Sequence, residues 1–400
     1  MNNVTLLTVI AFIFFMSRGI IGPVSSLYME SLGANYVAIG LLGTTFSLAA
    51  VFSSYLWGQA SDRIGRRKIF LILSLAIMSV NYWLTAAIPS YEYMFPLSLL
   101  GSASQAAYTT ASLALMGDLL ERRHESRGRR IGTYRGLGSL GFGLTAFISG
   151  SVADWSSLRT TFNIAAIFMA AAFLLALRIK ETSPSDRPIS SIGHKNDEQL
   201  TQEVETVSVT PSKRNQKLPL GPLLISTLLW FLVTGAVYAV WANYMVGELG
   251  YSQAEMSRLW GIASLSELPF MILAGWLSDR LGRLTILSVG FLAWTFVFLG
   301  YVLVPVTPWI IIVQLIRGFA YSAFTATSMT YAAEARSKPQ RGRVSGLYNS
   351  SGSIGSILGS TMGGALAQFI NFRIMIATNA AIIFIGAVHV AIVEIRRSRD

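Results

Sequence analysis

The chain has 400 residues, of which 52% are hydrophobic and 13% charged, and its formal net charge is +11 at pH 7. It contains no cysteine and only three scattered histidines, which excludes disulfide bonds and thiolate metal sites, and we expect no metal and no cofactor. The mean hydropathy of +0.53 and repeated apolar runs of roughly 20 residues, the length that a helix needs to cross a bilayer, predict an all-α integral membrane protein.

Apolar runs between charged or Gly/Pro-rich breaks predict twelve membrane spans. The first run, from Val4 to Met16, lacks a basic start and a small-residue cleavage site, so we interpret it as the first span and expect no signal peptide. The spans cover approximately residues 4–28, 36–60, 69–88, 95–118, 131–153, 160–178, 220–246, 256–278, 284–304, 308–332, 343–368 and 372–393.

A long polar segment, residues 181–218, divides the spans into two sets of six and is typical of a flexible linker. Residues 1–180 and 219–400 repeat each other: SLYMESLG at 26–33 matches NYMVGELG at 243–250. Duplicated six-helix halves are the construction of transporters that rock two bundles around a central site. We therefore predict two pseudo-symmetric six-helix bundles joined by a linker.

Lysine and arginine are distributed unevenly between the two ends of the spans. If both termini share one side, 25 of the 31 basic residues lie on that side. Positively charged loops are retained in the cytoplasm during insertion, so both termini and the linker are predicted to be cytoplasmic. The charge of +11 then faces anionic lipid headgroups, and we expect no nucleic-acid partner.

The second loop carries GQASDRIGRRK, residues 58–68, and the eighth span ends in a second copy, GWLSDRLGRLT, residues 275–285. Glycines here permit close helix approach and a tight turn, and an aspartate can face a helix N-terminus. With its twelve spans and central loop, the whole chain resembles the major facilitator superfamily, whose loop motif is G-x-x-x-D-R-x-G-R-R. The alternative is that the arginines only set the topology.

The resemblance implies a cytoplasmic latch between the two halves. In it Asp62 would face the start of span 11 and Asp279 the start of span 5, while Arg66 would pair with Asp118 and Arg283 with Glu334. The expected latch residues are Gly58, Asp62, Arg63, Gly65, Arg66, Arg67, Asp118, Gly275, Asp279, Arg280, Gly282, Arg283 and Glu334.

Glu267 is the one acidic residue predicted at mid-membrane depth, and Arg18 and Arg317 are predicted near the same depth. An ionisable residue there costs roughly 2.5–3.5 kcal/mol on insertion scales and usually marks a substrate or proton route. We expect Glu267, Arg317 and Arg18 to take part in proton coupling, with Arg317 released when Glu267 is protonated. A permanent structural ion pair between Glu267 and Arg317 is the alternative.

The resemblance also implies that spans 1, 4, 7 and 10 line the central pathway. The candidates for the substrate cavity are Gln105, Tyr108, Arg135, Trp230, Tyr238, Trp241, Asn243 and Tyr321. Tryptophan and tyrosine near helix ends are alternatively interfacial anchors, and Arg135 alternatively extends toward lipid headgroups. Glycine-rich stretches in spans 5 and 11 are expected to serve helix packing.

These features predict a secondary transporter in the cell membrane that moves a small organic solute by alternating access. We expect proton-coupled efflux of a drug or sugar-like solute, driven by the proton gradient, from a functional monomer; a proton symporter importing a sugar or organic anion is the alternative. A transport-inactive receptor or scaffold is the alternative from another class. An enzyme is not expected, because no constellation of nucleophile, base and orienting group is present.

Overall fold

The computed structural model describes residues 2–64, 66–121, 127–179, 219–335 and 341–399. Gly65 and the predicted linker lie outside these ranges, and the side chains of Asp62, Asp118 and Arg135 are outside the description as well. The expectations for these four residues and for the linker therefore stay predictions.

The described part of the chain is helical and contains no strand. A 3-10 turn covers Tyr91–Tyr93 and a π-helical turn covers Tyr244–Glu248. The thirteen α-helices in the described part are α1 Asn3–Ile21, α2 Ser25–Ser31, α3 Tyr36–Ile64, α4 Arg67–Ala87, α5 Met94–Glu121, α6 Arg127–Trp155, α7 Leu158–Leu177, α8 Leu220–Asn243, α9 Gln253–Leu281, α10 Arg283–Leu303, α11 Trp309–Glu334, α12 Arg341–Phe369 and α13 Phe372–Arg399.

Each of the twelve predicted spans coincides with one long helix, and the short α2 completes the first span after a break at residues 22–24. Ten of the described helices are long and apolar enough to cross a membrane; α5 and α12, which are rich in small and polar residues, are not among them. The all-α membrane architecture is thus confirmed, while the orientation of the termini stays a prediction.

The repeated segments 26–33 and 243–250 have related local structures. The first is the short helix α2 and ends at Gly33 with φ +90°, and the second contains the π-helical turn and ends at Gly250 with φ +74°. A side chain at such φ values meets steric conflict, so glycine is required in both places. The sequence repeat therefore corresponds to a repeat of backbone conformation.

The chain divides into two compact units. Unit 1 comprises Met1–Gly193 and Ala242–Gly261, and unit 2 comprises His194–Trp241 and Ile262–Asp400. In unit 1, α4 packs against both α5 and α7; in unit 2, α10 packs in the same way against α11 and α13, six spans later. The apolar core of unit 1 is formed mainly by α1, α4 and α7, through residues such as Leu7, Leu75 and Met169.

Glycines on α6 and α12 allow close helix contact, as expected. In unit 1 a Cβ at Gly141 would lie 2.8 Å from the backbone oxygen of Phe12 in α1. In unit 2 a Cβ at Gly359 would lie 2.1 Å from the backbone oxygen of Leu232 in α8. Real Cβ atoms do not tolerate such distances, so these glycines fix how closely spans 5 and 11 approach spans 1 and 7.

Candidate functional site

Arg317 is the centre of a group of aromatic side chains in unit 2, and its residue surface is only 3% exposed. Its guanidinium carbon lies 5.4 Å from the ring centroid of Tyr238 and 5.7 Å from that of Trp241, both distances of cation–π contact. The Tyr301 hydroxyl is within hydrogen-bonding reach of the guanidinium. A cation that is costly to bury is thus surrounded by π faces and a phenol oxygen.

Helical periodicity explains why these side chains meet. On α11, Gln314, Arg317 and Tyr321 are three and four residues apart and share one face. On α8, Trp230, Tyr238 and Trp241 follow the same period, and α10 adds Trp294 and Tyr301. We define the Arg317 cluster by its central residue and the members Trp230, Tyr238, Trp241, Glu267, Trp294, Tyr301, Gln314 and Tyr321.

Ring contacts connect the members of the cluster. The ring of Trp230 lies 5.7 Å from that of Tyr321 and 6.4 Å from that of Trp294, and Trp294 lies 6.0 Å from Tyr238. The Tyr301 hydroxyl donates to Oε1 of the fully buried Gln314 over 3.4 Å. Four of the predicted cavity residues, Trp230, Tyr238, Trp241 and Tyr321, are therefore brought together here, whereas Trp294, Tyr301 and Gln314 were not anticipated.

Glu267 belongs to the same cluster and is partly exposed within the chain. It interacts electrostatically with Arg317, Tyr238 and Tyr321. Among the described residues, no nitrogen of a basic side chain lies within 4.0 Å of the Glu267 carboxylate. Its backbone oxygen accepts a hydrogen bond of 2.9 Å from Ser322 Oγ, which ties α9 to α11. The tight structural ion pair considered from the sequence is thus absent between these two described residues.

A proline lies two residues after Glu267, inside α9. Pro269 has no backbone N–H, so the helix lacks the hydrogen bond that this position would donate to the carbonyl of Leu265. Interrupted membrane helices are common beside transport sites because freed backbone groups and small shifts become possible there. Pro269 was not among the predicted site residues, although its position beside Glu267 can be seen in the sequence.

Unit 1 contains the other candidates for the polar interior. Arg18 Nη1 donates to the Tyr82 hydroxyl over 3.2 Å, and its guanidinium lies 5.8 Å from the ring centroid of Phe46. Tyr108 is 1% exposed, and its ring stacks on Phe14 at 3.7 Å. Tyr82, Phe46 and Phe14 were not anticipated, because in sequence they are indistinguishable from apolar span residues.

Gln105 also lies in unit 1, one turn before Tyr108 on α5. Its buried Oε1 accepts no hydrogen bond from the described part of the chain. A buried amide oxygen without a donor is unusual in native structures and is typical of a position that meets water or a ligand. Gln105 therefore stays a cavity candidate.

Asn243, a predicted cavity residue, takes part in a hydrogen-bond network in unit 1. It is fully buried in unit 1, where its amide nitrogen donates to Glu30 Oε2 over 2.7 Å and to the Ser26 backbone oxygen over 3.3 Å. Tyr36 donates to the other oxygen of the same carboxylate over 3.1 Å. The amide is thus held by α2, a contact that span membership could not reveal.

A second contact within unit 1 joins the start of α9 to α6. Asp154 Oδ2 accepts from the backbone N–H of Ala254 over 2.9 Å, at the positive end of α9, where a carboxylate is favoured. A Cβ at Gly150 would lie 1.8 Å from the Gln253 backbone oxygen. These contacts, with those of Asn243, join residues 242–261 to the first half of the chain.

The second copy of the loop motif contains the ion pair that the resemblance implied. Arg283 donates from Nε to Glu334 Oε2 over 3.0 Å and from Nη2 to Oε1 over 2.8 Å, a bidentate arrangement. Its Nη1 also lies 2.6 Å from Asp279 Oδ1 and donates to Ser278 Oγ over 3.0 Å. The preceding Gly282 has φ +100°, so glycine is required for this turn.

The first copy is described only in part. Arg67 donates to the backbone oxygen of Ala114 in α5, while Arg63 and Arg66 are exposed. The pair between Arg66 and Asp118 lies outside the described side chains. Arg280, in the second copy, stacks on Trp276 at 3.9 Å.

The close helix approach that the motif was expected to permit at Gly58 is not present, and the corresponding Gly275 shows none either. A Cβ at Gly58 or at Gly275 would meet nothing within 4 Å. The reason is that these faces of α3 and α9 pack against little else, since the neighbouring Tyr55 and Ile272 are 67% and 72% exposed.

Comparison with known proteins identifies the family. Residues 4–376 match the profile of the MFS_1 like family. The chain is 25% identical to multidrug resistance protein MdtG of Klebsiella pneumoniae (97% of this chain and 92% of the relative), and 24% identical to a putative sugar efflux transporter of Deinococcus radiodurans (92% of each). The fold resembles the crystal structure of nucleoside transporter NupG, with a TM-score of 0.78, 16% identity and 98% of both chains covered. The chain therefore belongs to the MFS_1 like family, within the major facilitator superfamily of membrane transporters.

Proposed function

We propose that this transporter is proton-coupled, with Glu267 as the proton carrier, and that it exports a small organic solute. The observation that carries the proposal is the position of Glu267 within the span α9, where its backbone oxygen accepts from Ser322 Oγ over 2.9 Å, which ties it to the helix α11 that carries Arg317 and Tyr321. A carboxylate inside a membrane bundle lowers the stability of the protein in the bilayer, so one that is present usually serves a route for protons or ions. Arg18 is the corresponding candidate in unit 1.

The names of two relatives support export. One is named for multidrug resistance and the other for sugar efflux, and both align with more than nine-tenths of this chain. Aromatic side chains with a few polar groups, as in the Arg317 cluster, suit amphipathic organic solutes. The solute would meet Trp230, Tyr238 and Tyr321 as it enters the site.

Alternating access would use two sets of contacts. Within unit 2, the ion pair of Arg283 with Glu334 and Asp279 would hold the loop motif in place, as expected for the latch. Within unit 1, the hydrogen bonds that Asn243 and Ala254 donate would be broken and re-formed when the protein changes state. Both sets consist of a few polar contacts, which can break and re-form at modest cost.

A second candidate is proton symport of an organic anion, and the buried Arg317 favours it. If Glu267 is protonated, its negative charge no longer competes for Arg317, so an anionic solute and a proton would bind together. An exporter that exchanges a solute for a proton requires the reverse, with each weakening the binding of the other. The sign of the proton flux therefore distinguishes the two candidates.

The test is solute-driven proton flux in sealed proteoliposomes that contain a pH-sensitive dye. Sugars, organic anions and lipophilic cations would be applied to the wild type, to Glu267→Gln and to Glu92→Gln, a matched control at an exposed position between spans. We expect at least one solute to drive flux in the wild type and the control, and the flux to be lost in Glu267→Gln. Coupling that survives in Glu267→Gln would contradict the proposal, and a lack of flux with every solute would favour a receptor or scaffold.

A further inference from the structure

The Arg317 cluster contains hydrogen-bond donors that a bound solute can satisfy. The indole N–H groups of Trp230 and Trp294 are buried and have no acceptor within the described part of the chain. Beside them lies the cationic guanidinium of Arg317. On the acceptor side, the cluster offers the carboxylate of Glu267 and the hydroxyl oxygens of its tyrosines, whereas Oε1 of Gln314 already accepts from Tyr301.

Buried donors without acceptors are rare in native structures, and each one is typically explained by a ligand or water that the site receives. A solute that satisfies these donors must present acceptor oxygens. The best match for a planar guanidinium is a carboxylate, which accepts two parallel hydrogen bonds and neutralises the charge. A cationic solute would instead be repelled by Arg317.

The remaining surface of the cluster is aromatic. The ring of Trp230 is stacked on Phe324 at 4.2 Å with an interplanar angle of 8°, and the rings of Tyr321 and Trp294 lie near it at 5.7 and 6.4 Å. These rings come from three different helices, α8, α10 and α11. Flat rings arranged around one another favour a solute that is itself flat, because offset and edge-to-face ring contacts are then available on several sides.

We infer that the Arg317 cluster binds a planar aromatic solute with a single carboxylate, placed so that the carboxylate meets Arg317 and the ring meets Trp230 and Tyr238. This inference rests on the proposed function in taking the cluster to be the solute site and Glu267 to be the proton carrier; for the direction of transport it favours the second candidate, symport, over export. Binding of the anion is strongest when Glu267 is protonated, since the two negative charges then do not compete for one arginine. The proton and the solute consequently move in the same direction.

The first experiment uses the purified wild-type protein and needs no variant. Radiolabelled benzoate serves as the probe in equilibrium binding, with three competitors: benzamide, which has the same shape without the charge, cyclohexanecarboxylate, which has the charge without the planar ring, and benzyltrimethylammonium, which has the opposite charge. We expect benzoate to bind roughly 10-fold more tightly than benzamide, because hydrogen bonds to charged groups are the stronger ones. Cyclohexanecarboxylate should bind several-fold more weakly than benzoate, and the cation should not compete.

Variants then assign the recognition to named residues. Arg317→Gln should weaken benzoate binding roughly 10- to 100-fold and leave benzamide binding unchanged, a difference that a purely structural role would not produce. Trp230→Phe, which keeps a six-membered aromatic ring and removes the five-membered ring with its N–H, should weaken benzoate roughly 3- to 10-fold. Arg373→Gln, at an exposed position of α13, is the matched control and should bind benzoate like the wild type.

The inference is overturned if benzamide or cyclohexanecarboxylate binds within twofold of benzoate, if benzoate fails to bind at millimolar concentration, or if Arg317→Gln binds it normally. Glu267→Gln separates this inference from the proposed proton coupling. It should bind benzoate at least as tightly as the wild type, since it removes the competing charge, while it loses coupled flux. Normal flux in Glu267→Gln would refute the coupling alone, and absent benzoate binding would refute the solute class alone.

Discussion

The ion pair between Arg283 and Glu334 should contribute measurably to the stability of unit 2. Arg283 has a side chain only 7% exposed, and Glu334, at 24%, accepts two hydrogen bonds from it. Removing one partner of a buried pair costs roughly 3–5 kcal/mol, because the other charge stays buried without compensation. Glu334→Gln should cost less, about 2 kcal/mol, because Glu334 is partly exposed and Arg283 keeps Asp279 as a partner.

A double-mutant cycle measures the pair itself. With Arg283→Gln, Glu334→Gln and the double variant, we expect a coupling free energy of roughly 1–2 kcal/mol, within the range found for residues in direct contact. Thermal unfolding followed by the fluorescence of the nine tryptophans suits a chain without cysteine. For a unit of this size, about 2 kcal/mol corresponds to a fall in melting temperature of roughly 4–8 °C.

The control is a second arginine–glutamate pair in the same unit. Arg397 lies 3.8 Å from Glu394, and both side chains are about one-fifth exposed. A longer pair of this kind should have a coupling energy of less than about 1 kcal/mol. The reasoning is refuted if the cycle at Arg283 and Glu334 is additive within about 0.5 kcal/mol, or if the control pair shows the larger coupling.

Two further predictions concern the packing and the contacts within the units. Gly359→Ala should destabilise the protein by roughly 1–3 kcal/mol, because the new Cβ would collide with the Leu232 backbone oxygen. The control is Gly346→Ala on the same helix, where a Cβ meets nothing within 4 Å and the change should be neutral or slightly stabilising. Equal melting temperatures for the two variants would contradict the packing. Asn243→Asp should cost roughly 1–4 kcal/mol, because it replaces a donor to Glu30 with a second carboxylate at hydrogen-bonding distance. An unchanged melting temperature would show that the hydrogen bond contributes little.

The sequence predicted the twelve spans because membrane helices carry their own signal, an apolar run of fixed length. It also placed Glu267 and Arg317 in the same half, since span membership alone decides this. The Arg283–Glu334 pair followed from the family resemblance, which pairs the arginine at the start of α10 with the acidic residue at the end of α11. These predictions require only the position of each residue along its helix. They do not require knowing which neighbouring helix its side chain faces.

The remaining features depend on tertiary contacts. The hydrogen bond that Asn243 donates to Glu30 was not predicted, because the end of α8 lies against α2 in a way that periodicity does not determine. Tyr301 lies on α10, which was not expected to line the site, yet its hydroxyl is near Arg317. Gly58 was expected to mark a close approach, but small size shows only that contact is permitted.

The most direct test of the central claim, proton coupling through Glu267, is to compare two modes of transport in one preparation of proteoliposomes. With a solute that drives proton flux in the wild type, the account predicts that Glu267→Gln retains solute exchange at equilibrium, which needs no net proton movement, and loses accumulation driven by a pH gradient. If Glu267→Gln accumulates the solute as the wild type does, the proton is carried elsewhere and the account is wrong.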